Sequence, residues 1–500
     1  MIQMYVIFGL FLLALIVFLR YSFWRLKYSR LIPGKKPWFL DIFGDLTEIW
    51  AAKDVPLGIM ELLCKRAELF QKEKLFCVWA AYIPFVFFVR ADAVKELLKN
   101  NKLNDKSWVY EWIQPLVGKG LITSGYDLSK SRRKALAPCF YTDVLRSFLP
   151  VFSDEAQKLV KFLQKETKNE FTYIAEPISL CASDITCETI FGITINALEN
   201  ENLETSTSFS RASSIFMSKV ISPWQWIDII FRNTKMGKEF HYHCNVLQEV
   251  ARKITEEKKM LYRRGEEKKH TRKHKALMEL LLDNKELTEQ EIDEEMYTFA
   301  LAGHINTTAT VRWTLYLIGL YPDVQAKLHE EIDLIFGNDL EKPVTEDDLR
   351  QLQYLDCVLK ESNRLYPSVS LFARQVNKDT KISGYTIPKG ANCVLFTYFL
   401  HRDPEIFPDP EKFDPDRFLP ENKINIPEYG FIPFSVGPRS CIGFKFAEME
   451  VKVIIIQILR NFTIKSLDQR DKIKLILTPT LHPHIPIRIR IRHRFDRSFP

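Results

Sequence analysis

The sequence lacks most of the features that divide a long chain into several domains or that mark a small secreted protein. Its 500 residues contain no Pro/Gly/Ser-rich tract, no internal repeat and no low-complexity block, so we expect one large domain although the length alone allows about three. The nine cysteines form no C-x-x-C pair, and a disulfide scaffold would be much denser in cysteine. We therefore expect reduced thiols in a domain that faces the cytosol. The net charge of +7 is small for this length and gives no reason to expect a nucleic-acid partner.

The N-terminal segment is a long apolar run. Met4 to Leu19 contains no charged residue, and nineteen residues precede Arg20, enough to cross a hydrocarbon core of roughly 30 Å. The basic residues that follow place the downstream chain in the cytosol. A cleaved signal peptide is the alternative, but its basic n-region and small-residue cleavage site are not evident. We expect a transmembrane anchor at residues 1–20, a basic and proline-containing hinge at 21–37, and a single catalytic domain at 38–500.

Helical patterns dominate the rest of the chain. Residues 325–335 carry apolar side chains at the i, i+4, i+7 spacing of an amphipathic helix. Thr288 and Glu291 form a capping-box pattern, which predicts a long helix from there to about Gly319. Strand-like runs are short, at 84–89 and 485–491. The expected fold class is mainly α with small β-sheets.

The most specific motif surrounds Cys441. It has the form F-x-x-G-x-x-x-C-x-G, set by Phe434, Gly437, Cys441 and Gly443, and the expected number of chance matches is on the order of 10⁻³. Gly437 permits a tight turn, and a helix beginning near Ile442 would direct its free N–H groups and positive dipole end at the sulfur. Such surroundings favour a thiolate that can bind a metal. An inert buried cysteine in a turn is the alternative interpretation.

On these residues the chain resembles the cytochrome P-450 superfamily, over essentially everything after the anchor. The resemblance implies the cytochrome P-450 fold preceded by one transmembrane helix. It also implies haem b as the cofactor, with Cys441 as the axial thiolate ligand to its iron and with Phe434, Gly437 and Gly443 shaping the cofactor-binding loop. Electron donation by a thiolate favours O–O cleavage over reversible oxygen binding.

The same resemblance assigns supporting roles to charged residues. Glu361 and Arg364, three residues apart on one helix face, occupy the position of the family's buried ion pair. A buried pair needs a further partner, and Arg417 resembles the residue that supplies it. These three residues would hold the haem pocket and the loop before Cys441.

Three arginines resemble contacts to the haem propionates. Arg439 lies two residues before the thiolate, and Arg132 lies on the helix that usually reads W-x-x-x-R, here with Leu128 at the tryptophan position. Leu128 cannot donate a hydrogen bond, so we expect one propionate contact to be lost. Arg374 is a weaker candidate of the same kind. Arginine suits carboxylates because its fork of donors matches their geometry.

The long central helix departs from the family pattern A-G-x-[DE]-T. The chain has Ile305 at the acid position and Asn306 at the threonine position, followed by Thr307. Ile305 cannot relay a proton, and Asn306 can form hydrogen bonds but is a poor acid. We expect Asn306 and Thr307 to serve oxygen and proton delivery. The departure leaves three alternatives open: a monooxygenase, an isomerase or dehydratase that acts on lipid peroxides without a reductase, and a haem-binding protein without catalysis.

The wording of the motifs is most similar to the animal microsomal fatty-acid ω-hydroxylase branch. That branch often has a glutamate at the position of Ala302, which can esterify the haem, so its absence here implies non-covalent haem. The implied reaction inserts one oxygen atom from O₂ into a C–H bond of a lipophilic substrate, which could be a fatty acid, a sterol or a xenobiotic. Ala302, Val369 and Leu371 would line the substrate pocket.

The resemblance also implies the redox partner and the location. Electrons would come from a separate NADPH cytochrome P-450 reductase, with cytochrome b5 as a second candidate donor, since the chain contains no flavin or dinucleotide fingerprint. The chain would be a single-pass protein of the endoplasmic reticulum membrane, with its catalytic domain facing the cytosol.

Overall fold

The computed structural model describes residues 2–100, 103–200, 204–264, 275–284, 286–337 and 339–495. Within these residues helices dominate and strands are short, which confirms the predicted fold class. The helices are α1 (Ile2–Leu31), α2 (Leu46–Trp50), α3 (Val55–Leu69), α4 (Ala91–Lys99), α5 (Val109–Val117), α6 (Tyr126–Leu136), α7 (Thr142–Ser147), α8 (Leu149–Glu166), α9 (Ala175–Thr186), α10 (Ala197–Asn200), α11 (Glu204–Val220), α12 (Asp228–Asn233), α13 (Lys235–Arg263), α14 (Leu277–Asn284), α15 (Glu289–Leu320), α16 (Pro322–Phe336), α17 (Glu346–Gln351), α18 (Gln353–Leu365), α19 (Thr397–Leu400), α20 (Pro420–Lys423) and α21 (Phe444–Asn461).

The strands form small sheets at the margins of the helical body. They are β1 (Leu75–Ala80), β2 (Ile83–Phe88), β3 (Leu371–Gln375), β4 (Thr380–Ile382), β5 (Tyr385–Ile387), β6 (Asn392–Phe396), β7 (Phe462–Ser466), β8 (Leu475–Leu477), β9 (Leu481–Pro483) and β10 (Ile489–His493). The largest sheet has the order β1-β2-β6-β3, in which β2 and β6 run parallel and the other neighbours antiparallel. β10 begins four residues later than the predicted strand at 485–491, and it pairs with β7.

The central helix α15 begins where the capping box predicted. The Thr288 side chain accepts a hydrogen bond from the backbone N–H of Glu291, and the Glu291 carboxylate accepts one from the backbone N–H of Thr288. The helix ends at Leu320, one residue beyond the predicted end. It packs against α9, α18 and α21. Its close approach to α9 favours glycine at Gly303, because an added Cβ would lie 3.1 Å from Thr186 Oγ1 and would push that side chain aside.

The N-terminal helix is longer than the sequence suggested. α1 is the one helix in the described residues that is long and apolar enough to cross a membrane, over Gln3–Leu31. It does not end near Arg20, so residues 21–31 of the expected hinge are helical. The basic residues end the stretch that is apolar enough for the hydrocarbon core. They do not end the helix, because Arg and Lys are good helix formers.

The last turns of α1 pack on the globular body. Arg25 is buried and donates hydrogen bonds to the backbone carbonyls of Ala81, at 3.0 Å, and of Trp38 and Asp41. Tyr28 donates from its hydroxyl to the carboxylate of Asp379 at 2.7 Å. The side chains of Trp24 and Trp79 meet edge to face at 5.9 Å. The C-terminal end of α1 is thus part of the domain's packing.

Candidate active site

Cys441 lies in a tightly turned loop ahead of α21. The loop has left-handed backbone at Ser435 and Gly437, with φ of 60° and 83°, and the backbone N–H of Cys441 donates to the carbonyl of Phe434 at 2.9 Å. α21 begins at Phe444, two residues later than the predicted start, with Gly443 as its N-cap. This arrangement holds the Cys441 side chain ahead of a helix N-terminus, as the motif predicted.

We infer that the Cys441 thiol faces an internal cavity. The residue is exposed, yet burial raises the pKa of the Cys441 thiol, partly offset by a hydrogen bond from the Gly443 backbone and by the charge of Arg133. His304 of α15 is also partly accessible, and burial lowers its pKa to about 4. Side chains that are at least partly exposed, but whose pKa values are shifted by burial, indicate an enclosed space within the protein. Phe434 packs edge to face on Phe444 beside the sulfur, at 4.8 Å.

Of the two adjacent arginines on α6, the structure directs Arg133 and not Arg132 towards the thiolate loop. Arg133 donates to the backbone carbonyl of Ser440 at 2.6 Å and to its hydroxyl at 3.3 Å. Arg132 is buried on another side of the helix, where it pairs with Glu294 at 2.5 Å and with Glu295 at 3.0 Å. The assignment of Arg132 to a propionate was therefore wrong by one residue, since neighbouring residues on a helix point about 100° apart.

The shift of one residue also changes the tryptophan position. Four residues before Arg133 stands Ser129, which is buried, whereas Leu128 is exposed. Ser129 can donate a hydrogen bond from its hydroxyl, so the loss that we expected from Leu128 does not follow. The two arginines adjoin in sequence and differ only in which side of α6 they occupy, and no pattern in the sequence alone separates them.

Three cations, Lys106, Arg374 and Arg439, lie close enough together for their charges to interact, and one of them belongs to the thiolate loop. Arg374 on β3 is buried, its Nε has no hydrogen-bond partner among the described residues, and burial lowers its pKa. Burial and the nearby charge of Arg374 lower the pKa of Arg439 to about 10, and burial lowers the pKa of Lys106 as well. Among the described residues, the hydrogen bonds of Arg439 go to the backbone carbonyls of residues 104, 121 and 124.

This cluster fits the propionates of haem. Within the described part of the chain, Lys106, Arg374 and Arg439 make no salt bridge to any carboxylate. Buried charges are normally paired, so three desolvated cations around one space favour a dianionic ligand. The sequence predicted Arg439 and Arg374 for this role and missed Lys106. An isolated β-bridge between Lys106 and Arg374 brings them together, and no local sequence signal could have shown it.

The Glu361–Arg364 pair is buried as predicted, and it holds the segment before the thiolate loop. Arg364 binds Glu361 through Nε at 2.6 Å and Nη2 at 2.8 Å, and neither side chain is exposed. The same guanidinium donates to the backbone carbonyls of His401, Pro410 and Lys412 at 2.7–3.1 Å. Arg417 lies 3.6 Å from Glu361, an ion pair without a hydrogen bond.

The connection to the thiolate loop runs through His401. Its Nε2 accepts a hydrogen bond from the backbone N–H of Ile432 at 2.9 Å. Burial lowers the pKa of His401 to about 3, so the ring stays neutral and can accept this bond. The ion pair on α18 thus supports the loop that carries the cysteine.

Asn306 and Thr307, which lie where α15 departs from the family pattern, form hydrogen bonds within the protein. Asn306 donates from Nδ2 to the carbonyl of Ala302 at 3.0 Å, and its Oδ1 has no partner among the described residues. Thr307 is buried, and its hydroxyl donates to Glu450 of α21 at 2.8 Å. The Thr307 hydroxyl is thus bonded to a carboxyl group of α21. Ala302, Val369 and Leu371 are each partly accessible.

Comparison with known proteins agrees with this geometry. The model of the cytochrome P450 family matches residues 51–488, and the chain belongs to this family of haem-thiolate monooxygenases, which act on lipophilic substrates and bind haem b through a cysteine thiolate. Neither the geometry nor the relatives favour the peroxide-rearranging or the non-catalytic alternative.

Among its relatives is cytochrome P450 4V2. The Rattus norvegicus protein is 39% identical over 443 residues, which cover 86% of this chain and 84% of that protein. The Homo sapiens protein is 37% identical over 440 residues, which cover 85% of this chain and 84% of that protein. Cytochrome P450 4c3 of Drosophila melanogaster is 34% identical over 508 residues, which cover 97% of this chain and 94% of that protein.

Proposed function

We propose that Cys441 is the axial thiolate of the haem iron and that Lys106, Arg133, Arg374 and Arg439 hold the propionates. The observation that carries this proposal is the position of Cys441, exposed ahead of the N-terminus of α21, two residues after Arg439 and close enough to Arg133 for its charge to act on the thiol. When bound, haem supplies the oxygen chemistry, and the thiolate increases its tendency to cleave the O–O bond. The chain's own residues fix the sulfur, neutralise the propionates and enclose a space from which water can be excluded.

The first test is a difference spectrum of the reduced protein with carbon monoxide. Thiolate ligation gives a red-shifted band that imidazole ligation does not, and we expect Cys441→Ala to abolish it. Cys64→Ser is the matched control, because Cys64 is a partly exposed cysteine on α3. An unchanged band in Cys441→Ala would refute the assignment.

We further propose that the substrate is a fatty acid or a related lipid with a long apolar chain, oxidised at a C–H bond near its end. Resemblance of the motifs to the fatty-acid ω-hydroxylase branch supports this class. Partly accessible Ala302, Val369 and Leu371 supply apolar walls, and we propose that they position the chain. Alanine at residue 302 supports a haem without an ester bond to the protein.

The substrate proposal is tested by reconstitution. Purified protein, NADPH, cytochrome P-450 reductase and a lauric-type acid should give a hydroxylated acid, and cytochrome b5 should change the rate without replacing the reductase. A lipid hydroperoxide without reductase is the second arm. Turnover in that arm alone would contradict both the substrate and the redox partner.

We also propose that the protein resides in the endoplasmic reticulum membrane, with residues 1–20 spanning it and with the catalytic domain on the cytosolic side. The basic residues after the apolar run support this orientation. In sealed microsomes, added protease should digest the domain. Protection of the domain until detergent is added would contradict the orientation.

A further inference from the structure

A buried carboxylic acid lies where α9, α15 and α21 meet, and the haem site described above does not use it. Glu450 on α21 is fully buried and accepts the hydrogen bond of Thr307 through Oε2. Cys181 of α9 is a titratable group close enough to interact electrostatically with it. Among the described residues no lysine, arginine or histidine pairs with Glu450.

Glu450 keeps its proton at neutral pH. Burial without a cation disfavours a carboxylate and raises the pKa of Glu450 to about 8, although the bond from Thr307 opposes this. The neutral group can accept from Thr307 on one oxygen while it carries its proton on the other. It is therefore a proton donor held inside the protein.

Three unpartnered polar atoms lie on the helices that meet at this acid. Glu450 Oε1, Asn306 Oδ1 and Thr186 Oγ1 are buried and have no hydrogen-bond partner among the described residues. Asn306 adjoins Thr307 on α15, and Thr186 faces the same helix at Gly303. Buried polar atoms are nearly always bonded to protein or to ordered water, and a space bordered by several of them suits water.

A proton donor outside α15 is needed because α15 itself has few side chains that can donate a proton. Reduction of dioxygen to an inserted oxygen atom and water consumes protons as well as electrons. Residue 305 is isoleucine and has no proton to give. His304, next to it, is neutral with its pKa lowered to about 4, and it hydrogen-bonds Ser179 at 2.6 Å.

We propose that Glu450 donates protons for dioxygen reduction through Thr307 and ordered water, replacing the acid that residue 305 lacks. For transfer, the proton of Glu450 lies on Oε2 and the hydrogen bond to Thr307 is reversed, so the Oε2–H bond breaks as this proton passes to Thr307 Oγ1. The hydroxyl proton of Thr307 passes at the same time to water beside Asn306. Glu450 then recovers a proton from solvent, and the redox partner supplies the electrons. The inference rests on the monooxygenase activity and adds a proton donor to it.

Infrared spectroscopy tests the protonation state without turnover. The resting holoenzyme at pH 7 should show a protonated-carboxyl C=O band that shifts in D₂O and is absent in Glu450→Gln. The band should fade as the pH rises through about 8. If the wild type and Glu450→Gln have the same spectrum in this region, Glu450 is ionised and the proposal fails.

Coupling of electron use to product tests the relay itself. Glu450→Gln can still accept from Thr307 but has no acidic proton, and we expect at least a fivefold fall in product formed per NADPH, with a matching rise in hydrogen peroxide. Thr307→Val should fall similarly, and Thr307→Ser should recover most of the coupling. The carbon monoxide band and the substrate-induced spectral shift should remain in all three variants, which separates loss of the relay from loss of the haem site.

Thr308→Val is the matched control, because the Thr308 hydroxyl is bonded within α15 to the carbonyl of His304 at 2.9 Å. Its coupling should equal that of the wild type. Wild-type coupling should fall above pH 8, whereas Glu450→Gln should be low and flat with pH. Normal coupling in Glu450→Gln, or in Thr307→Val if the glutamine variant does not fold, would overturn the proposal.

Discussion

Single side chains decide which arginine of α6 reaches the thiolate loop. Arg132 and Arg133 are neighbours on α6, yet one is enclosed by carboxylates of α15 and the other reaches the loop of Cys441. The first is a structural ion pair, and the second is free to exchange a backbone contact for a propionate. Substitution of each residue should therefore affect a different property.

Replacement of Arg133 by alanine should lower haem content with little effect on folding. Replacement of Arg132 should leave Glu295 buried without its cation, which costs about 3–5 kcal/mol. Haem-to-protein absorbance ratios and denaturant unfolding measure the two effects separately. A normal haem content in Arg133→Ala would show that Arg133 makes no contact with the cofactor.

Sequence reasoning reached some of these side chains and missed others for one physical reason. The pattern around Cys441 is local, so Gly437 and Gly443 could be placed from the sequence, and the Glu361–Arg364 pair follows from spacing on one helix. Lys106, Arg133 and Glu450 depend on contacts between segments far apart in the chain. The hydroxyl of Thr307 could not be oriented without knowledge of α21.

At the level of helices and loops, the guanidinium of Arg364 links α18 to the segment that leads to the thiolate loop. It makes two hydrogen bonds to Glu361 and three to backbone carbonyls of the segment that leads to the thiolate loop. Arg417 contributes one backbone bond, to Asp409, and a longer ion pair. The two arginines were predicted together, but their geometry makes them unequal.

Arg364→Lys should lose the carbon monoxide band, because an ammonium cannot satisfy a fork of acceptors, and should lose about 3 kcal/mol or more of stability. Arg417→Lys should lose less than about 1 kcal/mol, since an exposed or long pair is weak. Spectra and denaturant unfolding of the two variants measure the contrast. Equal losses would mean that Arg417 shares the support of the loop.

The anchor helix and the sheet beside it form another link. Because Phe18 packs on Phe39 and Tyr82 and both Arg25 and Tyr28 are bonded to the body of the protein, removal of only residues 2–17 should leave thermal stability unchanged. Removal of residues 2–31 should cost about 3 kcal/mol or more, the usual cost of losing a buried aromatic side chain. Calorimetry of the two shortened proteins measures this, and equal stability would show that α1 does not contribute to the fold.

For the protein as a whole, an exposed apolar surface extends the anchor. Its most exposed members are Trp38, Trp224, Ile227 and Ile229, the last with 72% of its surface exposed. Trp50 connects the segment that contains Trp38 with the segment that contains Trp224, since it packs on Trp224 at 5.5 Å and donates to the carbonyl of Ile221. A contiguous apolar surface of this kind suits a lipid interface.

Without residues 2–20, the domain should still bind lipid vesicles. The double substitution Ile227→Glu and Ile229→Glu should weaken binding at least tenfold, because burial of each isoleucine contributes about 1.5–3 kcal/mol. Leu334→Glu on α16 is the matched control, since Leu334 is 88% exposed and lies outside this surface. Sedimentation with vesicles measures the binding, and an equal loss in the control would assign it to charge alone.

Because α1 packs on the globular domain, the surrounding bilayer can affect the orientation of the whole protein. A membrane-spanning helix tilts when the bilayer becomes thinner than its apolar length. If a flexible hinge joined the helix to the domain, the helix could tilt without turning the domain. Here the helix is fastened to β1 and β2, so each degree of tilt must turn the catalytic body by the same amount. The thickness and lipid composition of the surrounding bilayer would then set how deeply the substrate entrance sits and which side of the protein a redox partner meets.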